Sequence, residues 1–208
     1  MVYQFPDSVL LIFCKAPIPG QVKTRLQPAL SAEKAAKAHR QLTYMTLDRA
    51  FQQSLCPVEL HCAPDTSHAF FQDCACRYPV TLRTQHGSDL GERMQQAFED
   101  ALGRHRHALL MGCDCPSLSG DDLRWALTAL NQGHDAVIAP ADDGGYVMIG
   151  LNQVQPGLFG DMSWGHDQVM SATRRRAKDI GLNLGELDSQ WDVDIYQDWQ
   201  RYLLLVNG

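Results

Sequence analysis

Short apolar runs separated by stretches of helical period mark this sequence, and that alternation restricts the fold more than any other feature. Ser8 to Cys14 (SVLLIFC) has no helical period and reads as a buried strand. A helix is expected from Ser31 to Ser54, with Ala35, Ala38, Leu42 and Met45 at helical spacing and Ser31 placed to cap it. Val58, Leu60 and Cys62 alternate as a second strand that stops at Pro64, and Val80 to Thr84 is a third. The next helix, Asp89 to Leu102, carries Leu90, Met94, Ala97 and Ala101 on one face and ends at Gly103. Ala108 to Met111 is a continuous apolar strand. Ser119, with Asp122 three residues on, makes a capping-box-like start for a helix through Leu130, closed by Asn131 and Gly133. Strands Ala136 to Ala139 and Tyr146 to Leu151 surround a DDGG turn. Helices follow from Gln168 to Ile180, stopping at Gly181, and from Ile195 to Leu205. Apolar strands alternating with helices imply a single α/β domain over residues 1–208: a mostly parallel mixed sheet with helices on both faces. Ligands of such folds bind beyond the carboxyl ends of the strands, so chemistry is expected in the loops after them.

Size and charge agree with one core and narrow the partners. The chain has 208 residues, 45% hydrophobic and 20% charged, enough for one sizeable core and marginal for two. Its net charge of -6 argues against a nucleic-acid binder. It does not oppose a small anionic ligand, since cations can cluster locally in an acidic protein. The apolar run Val9 to Phe13 falls far short of the roughly 20 residues that span a bilayer. With no basic n-region or small-residue cleavage site, the expectation is a cytoplasmic protein without membrane insertion. Seven cysteines, an odd count, do not suggest a disulfide framework. The two Cys-x-Cys pairs lack the spacing of structural zinc ligands, so reduced, packed thiols are expected.

Five constellations fall in or beside the strand-to-helix loops. KAPIPGQVKTRL follows the first strand and sets Lys15, Lys23 and Arg25 in one loop with Gly20 and Thr24. It fails the Walker A pattern, because Pro17 and Val22 stand where glycines are needed. Arg25 can still fork onto phosphate oxygens and Lys23 can act as a point charge, while the competing reading is a solvated basic turn. In LLMGCDCPSL, a strand continued to Cys115 would put Cys113 and Cys115 on one face and Asp114 alone on the other, an acid placed for a hard divalent cation. Asp192 and Asp194 lie two apart and share a direction in extended backbone, although Asp194 also fits an N-cap with Gln197 completing a capping box. Asp143 sits beside Gly144 and Gly145, where a substrate can approach the backbone, whereas Asp142 reads as a turn residue. The glycine-flanked helix start HGSDLGERM offers free N–H groups to an anionic or carbonyl group, and Ser88 or Asp89 as a plain N-cap is the alternative.

Taken in order, K-A-P-x-x-G-x-V-K-T-R-L, D-L-G-E-R-M, G-x-D-C-P, D-G-G-Y and a late D-x-D resemble one family across about Val9 to Tyr202. It is the uncharacterised glycosyltransferase-like group of DUF2064 type, associated with radical-SAM, selenium-related or arsenosugar genes. More distantly it is similar to phospholactate guanylyltransferases, and both share the nucleotide-diphospho-sugar transferase (GT-A) fold. The resemblance implies that Lys15, Ala16, Pro17, Gly20, Lys23, Thr24 and Arg25 hold nucleotide phosphates, with Leu90, Gly91 and Arg93 near the nucleoside. Asp114, Asp192 and Asp194 would hold Mg²⁺ or Mn²⁺, and Gly144, Gly145, Tyr146 and Trp164 would line the acceptor side. The chain departs from the pattern at Ser88, where a glycine precedes the aspartate, and at Gly165-His166 after Trp164.

Two reactions fit these residues. In the first, a glycosyl group moves from a nucleotide sugar to a small-molecule acceptor, with Asp143 as base and Lys23 and Arg25 sharing the leaving diphosphate's charge. In the second, a nucleoside triphosphate reacts with a phosphorylated acceptor and pyrophosphate leaves. A non-catalytic nucleotide-binding module is the third and weakest reading, because Asp114 and the late D-x-D are both present.

Overall fold

The computed structural model describes residues 2–207. Seven strands form one sheet in the order β3-β2-β1-β4-β6-β5-β7. They are β1 (Ser8–Lys15), β2 (Val58–Ala63), β3 (Thr81–Thr84), β4 (His107–Gly112), β5 (Ala136–Pro140), β6 (Tyr146–Leu151) and β7 (Leu184–Glu186). All neighbours pair in parallel except β6, which runs antiparallel to both β4 and β5. Because β2 lies on one side of β1 and β4 on the other, the chain reverses its direction of travel across the sheet between them. The crevice above their carboxyl ends is the topological switch point.

The period of two along the strands sorts the core. Leu10 and Ile12 of β1, with Leu109 and Met111 of β4, pack under α1 (Ala32–Gln52), α2 (Ala69–Arg77) and α4 (Gly120–Asn131). Val9, Leu11 and Leu110 face the opposite way, toward α3 (Leu90–Leu102), α5 (Pro156–Phe159) and α6 (Val169–Asp179). A third cluster joins Leu42 of α1 to Trp199 and Tyr202 of α7 (Tyr196–Asn207), with Leu26 and Val193 between them. Both faces are therefore covered, as the alternation requires.

Local signals place most boundaries. Ser31 accepts from the Lys34 N–H at the start of α1, and Asp89 accepts from the Glu92 N–H at the start of α3. Ser119 and Asp122 complete a reciprocal capping box on α4. β4 covers the expected Ala108 to Met111 and stops at Gly112, so the strand does not continue to Cys115, although Cys113 and Cys115 are both buried. One expectation changes. The last helix is capped by Asp198, whose carboxylate accepts from the N–H groups of Asp194 and Ile195; Asp194 itself serves elsewhere. Three short elements were not anticipated: α2, α5 and β7. Among the described residues, no helix is long and apolar enough to cross a membrane.

Gly150 shows how tightly the central strands pack. A Cβ there would lie 2.3 Å from Leu109 Cδ2 and 2.7 Å from Val137 Cγ2. Gly150→Ala should therefore lower the unfolding free energy by about 1–3 kcal/mol through overpacking, read as a lower urea midpoint at unchanged slope.

Candidate active site

The loop after β1 is fastened to the loop after β4 by a buried charge. Lys23 adopts a left-handed backbone (φ 48°) and opens a single 3-10 turn, Thr24–Leu26, whose Leu26 drops into the third core cluster. Such a conformation costs a non-glycine residue roughly 1–2 kcal/mol. It is held by the side chain, since Lys23 Nζ donates to Asp114 Oδ2 at 2.6 Å and to the Val193 carbonyl. Arg25 reaches over the same segment to Asp194. Lys15 stands exposed at the end of β1.

A backbone ladder brings the late aspartates to this point. Gln190 N donates to the Pro140 carbonyl, Trp191 N to Ser117 Oγ, and Val193 N to the Asp114 carbonyl. Arg49 clamps the turn below, donating to the carbonyls of Cys115 and Pro116. Val193 is buried in the core, so Asp192 and Asp194, one residue to either side, are left to face the crevice.

Two pockets meet here. A polar one of about 550 Å³ is lined by Lys15, Lys23, Thr24, Arg25, Asp89, Leu90 and Arg93, with Asp114 and Asp194 at its edge. A smaller one, about 250 Å³ and largely apolar, is lined by Met94, Gly145, Tyr146, Val147 and Trp164, with Asp114, Asp143 and Asp192 at its mouth. Phe13, Leu90, Gly112 and Asp114 belong to both, and Asp114 is their only charged member.

Burial alone would keep Asp114 protonated, but the Lys23 ammonium overcomes it and holds the carboxyl below its ordinary range. Lys23 is raised in turn, with Asp114 outweighing the burial that opposes its charge. Asp192 behaves in the opposite way: burial, and then the negative charge of Asp114, push it to about 7. Two carboxylates that oppose one another's ionisation suit a hard divalent cation, which would be held by Asp114 and Asp192 with ligand phosphates completing its shell. Asp194 is paired with Arg25, and the oxygens of Asp114, Asp192 and Asp194 do not converge as a trio within 4.8 Å.

The other predicted residues divide between lining and support. Thr24, Leu90 and Arg93 line the polar pocket, whereas Ala16 and Pro17 are buried beneath the loop and Gly20 sits exposed in its turn, outside the lining. Gly91 packs against Trp164, whose Nε1 would lie 2.7 Å from an added Cβ, so its smallness serves helix packing. Asp143 accepts from the Gly145 N–H within its own turn while still facing the apolar pocket. Gly144, at φ 86°, passes so close to Asp167 that a Cβ would lie 2.1 Å from its carbonyl oxygen. Tyr146 and Trp164 meet edge to face at 6.2 Å, and Tyr146 Oη and Trp164 Nε1 are both buried without a hydrogen-bond partner. Sequence reading missed Ser88 and Gln85, which line the polar pocket, and also His39 on its floor. His39 had a signal: it lies on the inward stripe Ala35, His39, Leu42 of α1.

This architecture is that of the nucleotide-diphospho-sugar transferases, with the candidate site at the sheet's switch point. The chain belongs to the family described as uncharacterized proteins conserved in bacteria (DUF2064), whose profile matches residues 46–166. A candidate nucleotide-diphospho-sugar transferase from Desulfovibrio desulfuricans G20 is 31% identical, with 92% of this chain and 84% of that one covered and a TM-score of 0.83. The 4-diphosphocytidyl-2C-methyl-D-erythritol synthase of Anaerococcus prevotii shares the fold at 10% identity, 97% and 100% coverage and a TM-score of 0.64. Rv0371c of Mycobacterium tuberculosis, solved with manganese, shares it at 16% identity, 95% and 97% coverage and a TM-score of 0.52. No curated protein matches the sequence.

The raised Asp192 gives a signed expectation. Its protonated form is the one the fold favours, so its contribution is full below its ordinary value near 4 and is lost as pH rises through about 7. Asp192→Asn should match wild-type stability near pH 4 and exceed it at pH 8, by an amount bounded at about 4 kcal/mol. Thermal melts across that range, with and without Mn²⁺, check this, and the ion should narrow the gap at pH 8.

Proposed function

We propose that this chain is a metal-dependent transferase acting on a nucleotide-activated donor, and that it moves a glycosyl group from a nucleotide sugar to a small-molecule acceptor. The observation that carries the reading is Asp114 at the junction of the two pockets. On one side lie cations suited to a diphosphate, on the other a largely apolar slot with Asp143 and Asp192 at its mouth. The relative from Desulfovibrio desulfuricans supports the donor class.

In this reading Lys15 and Arg25 bind the donor's phosphates, and Lys23 stays beside Asp114 to share the charge that develops on the leaving diphosphate. Asp114 and Asp192 would hold Mg²⁺ or Mn²⁺, which would supply further charge neutralisation to the leaving diphosphate. The acceptor enters the smaller pocket, whose wall the rings of Tyr146 and Trp164 help to form. Asp143 takes the proton from the attacking hydroxyl.

The row Lys15, Lys23, Arg25 also suits a leaving pyrophosphate, which favours nucleotidyl transfer as the second reading. A thermal-shift panel separates the two. Nucleotide sugars with Mn²⁺ should raise the melting point, with about 2.7 kcal/mol of stabilisation at a hundredfold excess over Kd. Stabilisation by nucleoside triphosphates and by no nucleotide sugar would overturn glycosyl transfer in favour of nucleotidyl transfer. Asp114→Asn should remove the metal-dependent part of any shift while leaving the circular dichroism spectrum unchanged.

A further inference from the structure

The floor of the polar pocket holds a second group of ligand-type side chains that the transfer reaction does not use. β1 and β4 pair in register through Phe13 and Gly112, and one step further sets Cys14 opposite Cys113. Both follow the odd-even pattern that points Leu10, Ile12, Leu109 and Met111 toward α1, so both thiols lie on that face. From α1, His39 and Thr43 turn inward to meet them, and His39 is 5% exposed. Cys14, His39 and Cys113 are the only described residues whose ligand atoms, as a group of three or more, all lie within 4.8 Å of one another.

The spacing suits a tetrahedral ion. Zinc–sulfur and zinc–nitrogen bonds of about 2.3 and 2.0 Å put a sulfur and a nitrogen about 3.5 Å apart across a tetrahedral edge. Cys14 Sγ lies 3.6 Å from His39 Nε2. As placed, Nε2 donates to the Lys15 carbonyl at 2.9 Å, and Nδ1 is buried with no partner. That bond favours the Nε2–H tautomer; coordination through Nε2 exchanges the hydrogen bond to the Lys15 carbonyl for a metal–nitrogen bond and shifts the ring proton to Nδ1, which then needs an acceptor of its own. Charge balances as well. Two thiolates, a neutral imidazole and one divalent cation sum to zero, which a buried site tolerates far better than an unpaired charge.

We propose that Cys14, His39 and Cys113 form a site for one thiophilic divalent cation of the zinc class, separate from the carboxylate pair at Asp114 and Asp192. The three protein ligands leave a fourth position on the side of the polar pocket, which all three residues line. Coordination breaks the two S–H bonds, releases both protons to solvent and moves no electrons. A borderline-soft ion prefers this N/S set, while Mg²⁺ and Mn²⁺ prefer the oxygens above it, so the two sites sort ions by ligand chemistry.

Cobalt(II) is the probe. In full-length protein kept reduced, one equivalent of Co²⁺ should saturate a thiolate-to-cobalt charge-transfer absorption with tetrahedral d–d bands, and Zn²⁺ should remove both. Cys14→Ser and Cys113→Ser should each abolish the charge-transfer band, while Cys76→Ser, an exposed thiol, and Asp192→Asn should retain it. Absence of the band in wild type, or its survival in the Cys14→Ser/Cys113→Ser double variant, overturns the proposal. If a serine variant does not fold, X-ray absorption on zinc-loaded wild type decides. Two sulfurs at about 2.3 Å with an imidazole nitrogen support the site, and a shell without sulfur or with four sulfurs overturns it.

Discussion

The parallel pairing of β1 with β4 is the constraint from which the site follows. Register Ser8↔His107 through Phe13↔Gly112 brings two carboxyl ends side by side, although nearly a hundred residues of chain separate them. Once those ends are adjacent, the loop carrying Lys23 and the loop carrying Asp114 have no room to avoid each other. Their ion pair ties the crevice together, with the Lys23 ammonium enclosed and the Asp114 carboxylate partly open to the pockets. Removing the carboxylate strands an enclosed charge, which destabilises the fold. The ladder from Asp114 and Ser117 to Trp191 and Val193 then adds the last segment, so residues from both ends of the chain converge on one carboxylate.

An acidic protein thereby carries a basic pocket. The net charge is -6, yet Lys15, Lys23 and Arg25 gather beyond the carboxyl end of β1, in the middle of the sheet. Two of these cations already face carboxylates, Lys23 with Asp114 and Arg25 with Asp194. In the proposed reaction, a phosphate would compete with these carboxylates for charges that the fold has already oriented. Arg25, well exposed, can exchange partners readily, whereas Lys23 is locked by two bonds and a strained backbone.

How legible this was depended on whether the signal was local. Strands β1, β2 and β4, the capping box of α4 and the DDGG hairpin could be read because apolar runs, caps and turn residues act over a few positions. α2 escaped notice: Phe70, Phe71 and Cys74 have helical spacing, but its aromatic and cysteine-rich composition does not favour a helix, and its cap is His68, through a ring nitrogen. β7 is three residues long and exists through its pairing with β5. In the candidate site, the order of motifs pointed to Lys23, Arg25 and Asp114, which the fold brings to one pocket, but not to Arg25 taking Asp194 or Gly91 serving Trp164. The Cys14, His39 and Cys113 group comes from β1, α1 and the loop after β4, so no spacing rule along the chain brings it into view.

The reversed direction of β6 has a consequence for how such a chain can diversify. Most strand connections around the switch point are crossovers, and altering their lengths means repacking a helix against the sheet. The β5–β6 link is a short hairpin whose tip, Asp142 to Gly145, overhangs the smaller pocket. Insertions or exchanges at that tip leave strand register and helix packing intact. The fold thus separates a half whose shape is held by crossovers and ion pairs from an editable half where one turn can be rewritten to reshape the smaller pocket.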